Sequence, residues 1–322
     1  MVAPVNTFTT AQAVGNREDL SDEIYRIDPV DTPFLSGSER VKATAVNHEW
    51  QTQALAPANA SNAQTEGDTP TPQAVTPTVR LGNITQISYK VASVSGTQEA
   101  VEHAGRDNEL AYQEMLKGLE LKRDMEAVLT ASQQSKTLGT GTPPIRNLAS
   151  LGSWIFSNTS LNAANGGANP TAADGTSKRT DAASQIAFTE PRLKGVLNGA
   201  WTNGGKPDLI MTGAFNKQQF STFTGRATTT QDAKSKRIVA SVDWYESDFG
   251  KLKVTPNRFQ RAQDVWVLQM DLWAVAFLNG RNMVSIPLAQ VGDSRQREVL
   301  SEYTIEARNE KGSGGVFDNT FQ

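Results

Sequence analysis

The chain of 322 residues contains no cysteine and only two histidines. Without thiols it has no disulfide framework, no thiolate zinc site and no cysteine nucleophile. His48 and His103 stand far apart in sequence with no ligand or triad partner beside them, so both read as structural residues. A zinc site would have to rest mostly on carboxylates, which zinc seldom accepts. Phosphate loops are missing as well. GTGTPP (139–144) and NGGKPD (203–208) fit neither G-x-x-x-x-G-K-[ST] nor G-x-G-x-x-G, and both read as turns. The acidic groups in DLSDE (19–23) and at Asp243, Glu246 and Asp248 read as solvated faces rather than a glycosidase pair. No residue is therefore assigned a catalytic, cofactor-binding or metal-binding role.

Clustered positive charge is lacking too. The net charge of −3 argues against a dedicated nucleic-acid binder, but not against a surface that lies beside packed DNA. No apolar run approaches the ~18 residues of a membrane span, and MVAPVNTFTT is no signal sequence, so a chain made in a cytoplasm with no membrane partner is expected. The sequon NTS at Asn158 would then stay unmodified. Large aliphatic residues are also scarce. A hydrophobic fraction of 38%, with Ala, Thr, Asn, Gln, Ser and Gly filling the rest, implies long arms and loops around a modest core.

What is present begins with an extended segment, residues 1–40. Helical spacing over Glu18–Ile27 stops at Asp28-Pro29, and DTPFLS (31–36) follows with Phe34 and Leu35 as anchors. Strand patterns over Ala45–Gln53 and Thr78–Ser95 enclose ALAPANASNAQTEGDTPTPQAVTP, which has four prolines and almost no large apolar side chain. This reads as the far end of a two-stranded arm. Two strands in water are marginal, so the arm needs a partner surface, and a neighbouring copy can supply one.

Glu99–Gln133 is the longest helix candidate, with expected pairs Glu102–Arg106, Glu120–Arg123 and Lys122–Glu126. Its apolar side changes midway, from Tyr112, Met115, Leu116 and Leu119 to Leu121, Met125, Val128 and Leu129. Gly105 and Gly118 are possible kink points. Beyond a turn cluster at 136–150, Trp154, Ile155 and Phe156 read as core, and Thr159–Ser184 as an exposed loop. Helices are expected over Phe188–Trp201 and Phe215–Phe223, and a polar loop over Gly225–Lys236. Strands are expected over 207–212, Val239–Tyr245, Gly250–Val254, Val265–Leu278 and Glu298–Asn309. Helices and strands mix without βαβ regularity, so the class is α+β.

Three blocks carry a resemblance: DTPFLS, FGKLKVTPNRF (249–259), and the final stretch with PLA, GDS and EYTIEARNEK in that order. Together they resemble the major capsid proteins of tailed bacteriophages with the Hong Kong 97-type fold. The resemblance implies an N-terminal arm (1–40), an extended loop (41–95) and a spine helix of a peripheral domain (96–135). A mostly axial domain (136–260) and peripheral or axial strands with the C-terminal strand (261–322) would follow. It implies self-assembly into hexamers, pentamers and an icosahedral shell around phage DNA, contacted non-specifically. A separate scaffolding protein, a portal, a protease and a decoration protein are the implied partners, in a virion assembled in a bacterial host. Two other readings stay open from residues alone: a decoration or tail-tube protein, and an unrelated soluble enzyme.

Overall fold

The computed structural model describes residues 28–102, 105–139, 141–223 and 243–322. The expected helix over Glu18–Ile27, His103, and the expected loop over Gly225–Lys236 lie outside them. In chain order the helices are α1 (Pro33–Gly37), α2 (Gly96–Ala100), α3 (Glu109–Leu129), α4 (Leu151–Trp154), α5 (Glu190–Thr202) and α6 (Ala214–Phe220). The strands up to the middle of the chain are β1 (Glu39–Ala43), β2 (Asn47–Thr52), β3 (Val79–Ile84), β4 (Gln86–Ser95), β5 (Thr137–Leu138), β6 (Arg146–Asn147) and β7 (Asn158–Ser160). The remainder are β8 (Leu209–Thr212), β9 (Trp244–Ser247), β10 (Gly250–Pro256), β11 (Val265–Leu268), β12 (Trp273–Leu278), β13 (Val284–Pro287), β14 (Ser294–Ala307) and β15 (Gly314–Val316).

Two sheets organise the body. In the first, β14 is the shared member: β4 pairs along one side of it, and β13 and then β12 along the other, with β1 parallel to β12 at the edge. The second has the order β7-β15-β11-β8-β10-β9. Its central strands read LIMT and VWVL, apolar runs without alternation, because both of their faces are buried. Leu209, Met211, Trp266 and Leu268 join a core with α3 and the first sheet. Ile210, Val265 and Val267 join a second core on the other face, closed by Leu193, Val196 and Leu197 of α5. The i, i+3, i+4 spacing on α5 is what brings those three side chains to one stripe.

Several sequence expectations are corrected. The long helix is two pieces: α2 ends at Ala100, and α3 starts afresh at Glu109, where Asn108 Oδ1 accepts from Ala111 N at 2.7 Å. Gly105 sits between them at φ 74°, a left-handed turn that glycine adopts without a Cβ clash. Only the second apolar side of α3 is truly buried, through Leu121, Met125 and Leu129, whereas Met115 is exposed. Arg106 pairs with Glu109, Lys117 with Glu120, and Glu126 with no lysine among the described residues.

The run Thr78–Ser95 is two strands that break at Thr85 and serve different sheets. Val265–Leu278 likewise divides at a 3-10 turn, Met270–Leu272, into β11 and β12 in different sheets. The loop expected over Thr159–Ser184 is largely fastened down. Arg179 is buried with its guanidinium 3.5 Å from the Phe317 ring centroid, and Asp318 accepts from Asn162 N at 3.0 Å and Ala182 N at 2.9 Å. Small side chains let this segment lie flat on the body, and a few buried polar groups hold it there.

Candidate assembly surfaces

Among the described residues no group of His, Asp and Glu side chains could hold a metal ion, and no helix is long and apolar enough to cross a membrane. The acidic trio of the sequence lies open: Asp243 and Glu246 have side chains 76% exposed, beside Lys217 and Lys251 respectively. GTGTPP belongs to the β5–β6 turn, and NGGKPD follows α5, with Gly204 at φ 85° just past the helix end. Two features stand out, an arm and the segment entering α1, together with the way each is fixed.

The first is the arm formed by β2 and β3, paired antiparallel from Asn47↔Ile84 to Thr52↔Val79. Its foot is locked to the body. Asn83 is fully buried and uses its whole amide: Nδ2 donates to Ala149 O (3.0 Å) and Ile305 O (2.9 Å), while Oδ1 accepts from Ile84 N and Ala149 N (both 2.9 Å). At the strand break, Thr85 N donates to Val46 O, and Thr85 Oγ1 donates to the buried Glu302, at 2.8 Å each. Glu302 is balanced by Arg146 and Arg281, also at 2.8 Å.

One step up the arm, Trp50 donates its indole N–H to Ala307 O at 2.8 Å and packs on Trp154, with ring centroids 5.3 Å apart. His48 Nε2 lies 2.9 Å from Glu306 Oε2, and this contact, then Arg308, holds the Glu306 carboxyl below its ordinary range despite partial burial. His48 is thus a structural contact between the arm and β14.

Beyond the foot the arm is open to solvent. Residues 53–80 are exposed throughout, including Leu55 at 95% and Val75 at 85%. The tip folds back in a turn in which Asp68 N donates to Thr65 O at 3.2 Å, with Gly67 at φ 80°. With about 13 residues to a leg at ~3.3 Å each, the arm reaches up to about 40 Å from the body.

The second feature is the segment entering α1, residues 28–32. Thr32 makes no side-chain cap to this helix, and Pro33 has no N–H to satisfy. The next two donors are capped from elsewhere: Glu126, in the middle of the core, accepts from Phe34 N at 2.9 Å and Leu35 N at 2.8 Å. Asn257 Nδ2 adds a third bond at 2.7 Å. Burial pushes the Glu126 carboxyl above its usual range, with the three donors opposing. DTPF, α3 and TPNRF therefore meet at one carboxylate. The sequence hid this role, because Lys122 at i−4 made Glu126 look like an ordinary surface pair.

One face of the first sheet is also open. α3 covers the side that carries Lys90, Ala92 and Val94, with Lys90 2.7 Å from Asp124. The alternate residues Ile87, Tyr89 and Val91 face outward, and Ile286 and Leu288 are exposed too.

Comparison with known proteins gives this architecture a class. It has the Hong Kong 97-type fold of phage capsid subunits. It superposes on the capsid asymmetric unit of cyanophage A-1(L) with a TM-score of 0.62, at 13% identity over 97% of this chain and 98% of that one. A structure of phage G gp27 major capsid and gp26 decoration proteins gives 0.54 at 12% identity, covering 99% and 100%. The major capsid protein of Escherichia phage Phieco32 is 28% identical over an alignment that covers 96% of this chain and 96% of that one. The family model described as SU10 major capsid protein matches residues 4–320, and the chain belongs to that family. It is a structural protein of the phage capsid shell.

Proposed function

We propose that copies of this chain close into hexamers and pentamers and then into an icosahedral shell around phage DNA, with each arm laid on a neighbouring copy. The observation that carries this is the contrast along the arm: a foot fixed by buried polar groups, and a far part, residues 53–78, exposed along its whole length. A two-stranded ribbon of that length is marginal in water, so it is stabilised by what it lies on. Each contact can be weak. A subunit held by several at once gains through effective concentration.

In this reading residues 1–40 are an N-terminal arm, 41–95 the extended loop and 96–135 the spine of a peripheral domain. Residues 136–260 form most of an axial domain, and 261–322 return through both. The subunit is made in the bacterial cytoplasm and ends in the virion, with a scaffolding protein, a portal and a decoration protein as partners. The phage G structure, which pairs a major capsid protein with a decoration protein, supports the last of these. Nothing in the proposed role requires catalysis.

The test is a deletion of Ala58–Thr76. Because that segment buries nothing within the subunit, its removal should leave the melting temperature within a few degrees while sharply lowering the yield of shells in micrographs. Loss of subunit folding would show instead that the arm packs on its own body.

A further inference from the structure

Beside α1 lies a groove of about 290 Å³ whose floor is Leu35, Met125, Phe277 and Met283 and whose ionisable lining is Arg40 and Lys122. Both basic side chains are exposed, and neither has a carboxylate partner among the described residues. Lys42 stands on the same face of β1 as Arg40, two residues on and opposite Phe277. The floor is unusual in its backbone as well. Met283 holds φ 50°, a left-handed conformation that a non-glycine side chain adopts at a cost. A flexible thioether at such a place can adapt to an incoming surface. An apolar floor whose polar lining is Arg40, Lys122 and the neutral Asn282 calls for an extended, uncharged chain that carries negative charge at one point.

The arm has that composition. From Gln51 to Val79 it contains no lysine or arginine, and its only charges are Glu66 and Asp68, on either side of Gly67 in the tip turn. The exposed face of β4 is the rival receptor, and charge disfavours it: Val91 lies opposite Glu298, so an acidic tip would meet an acid there. Like charges brought together cost binding, and opposite ones fix register.

We propose that the Glu66-Gly67-Asp68 tip of one copy docks into the Arg40/Lys122 groove of a second copy. This rests on the reading that the arm lies on a neighbour, and it names the place.

The absence of cysteine makes the test clean. Thr65→Cys and Asn282→Cys, both at exposed polar positions, are introduced into the full chain, and assembled particles are treated with a short bis-maleimide. A ladder of covalent multimers on a denaturing gel is the expected result. Thr65→Cys with Tyr89→Cys is the parallel pair. A ladder from that pair and none from the first overturns the groove while leaving the arm on a neighbour. A linked monomer with no multimer in either pair overturns both readings.

Charge reversal supplies a second readout. Arg40→Glu with Lys122→Glu should lower the yield of shells at least tenfold, and adding Glu66→Lys with Asp68→Lys should restore most of it. Normal yield from the reversed groove, or no restoration by the swap, overturns the docking.

Discussion

Removing the carboxylate of Glu126 would expose how the segment entering the body is held. Glu126 is 0% exposed, and three donors converge on it: Phe34 N, Leu35 N and Asn257 Nδ2. In Glu126→Ala all three lose their acceptor inside the core, and a small cavity takes its place. A buried donor left unpaired costs about 1–3 kcal/mol. Against that, the substitution removes a buried negative charge, whose unfavourable burial is already evident in the raised pKa. The net expectation is a destabilisation of about 3–5 kcal/mol. At roughly 2 °C per kcal/mol for a chain of this size, the melting temperature falls about 6–10 °C.

Glu126→Gln separates the terms. Its single oxygen can still accept from two donors, but its NH2 must then face a third N–H, so a loss of about 1–2 kcal/mol is expected even though the charge is gone. The assay is thermal unfolding of the isolated subunit, followed by near-ultraviolet circular dichroism. If Glu126→Ala melts within 1 °C of the parent, the carboxylate does not hold α1 and this account of the N-terminal segment is wrong.

Other expectations follow from the same contacts. Asp264 is fully buried between Arg261 and Arg179, with Asp181 nearby, and burial pushes its carboxyl up to about 6. In the unfolded chain it ionises near its ordinary value, about 3.9. The subunit should therefore gain about 2 kcal/mol of stability from this group as the pH falls from above 6 toward 4, and Asp264→Asn should flatten that part of a melting-temperature profile. Trp50→Phe keeps an aromatic ring against Trp154 but loses the bond to Ala307 O, about 1 kcal/mol, whereas Trp50→Ala should cost about 2–3 kcal/mol. A Trp50→Phe subunit as stable as the parent would refute the role given to the indole N–H. Covalent locking of the shell through a lysine–asparagine bond is not expected, since the arm from Gln51 to Val79 has no lysine. Mature particles boiled in detergent should run as one band near 34.8 kDa, and a ladder resisting heat and reductant would contradict this.

The parts of the fold legible in the sequence were those governed by local pattern. The strand patterns on either side of the proline-rich stretch became β2 and β3, and the spacing Leu121, Met125, Leu129 became the buried stripe of α3. What escaped was set by distant partners. Nothing local marks Thr85 as a break; it is one because Val46 and Glu302 claim its backbone and hydroxyl. Arg179, in a stretch of Asn, Ala and Gly, looked like loop because its partner ring, Phe317, lies far along the chain. Buried polar groups follow no period, so Asn83 and Glu126 could not be told from surface residues until the segments around them came together.

The length of β14 has a mechanical consequence. Its fourteen residues are hydrogen-bonded to β4 over ten register pairs on one side, and to β13 and β12 on the other. A pull along the strand axis loads all of those bonds in parallel, so they must fail together. A pull across the axis at a free edge would unzip them one at a time. A wall made of such units resists stretching best along the direction in which this strand runs, and the orientation of β14 within it decides which deformations the shell tolerates.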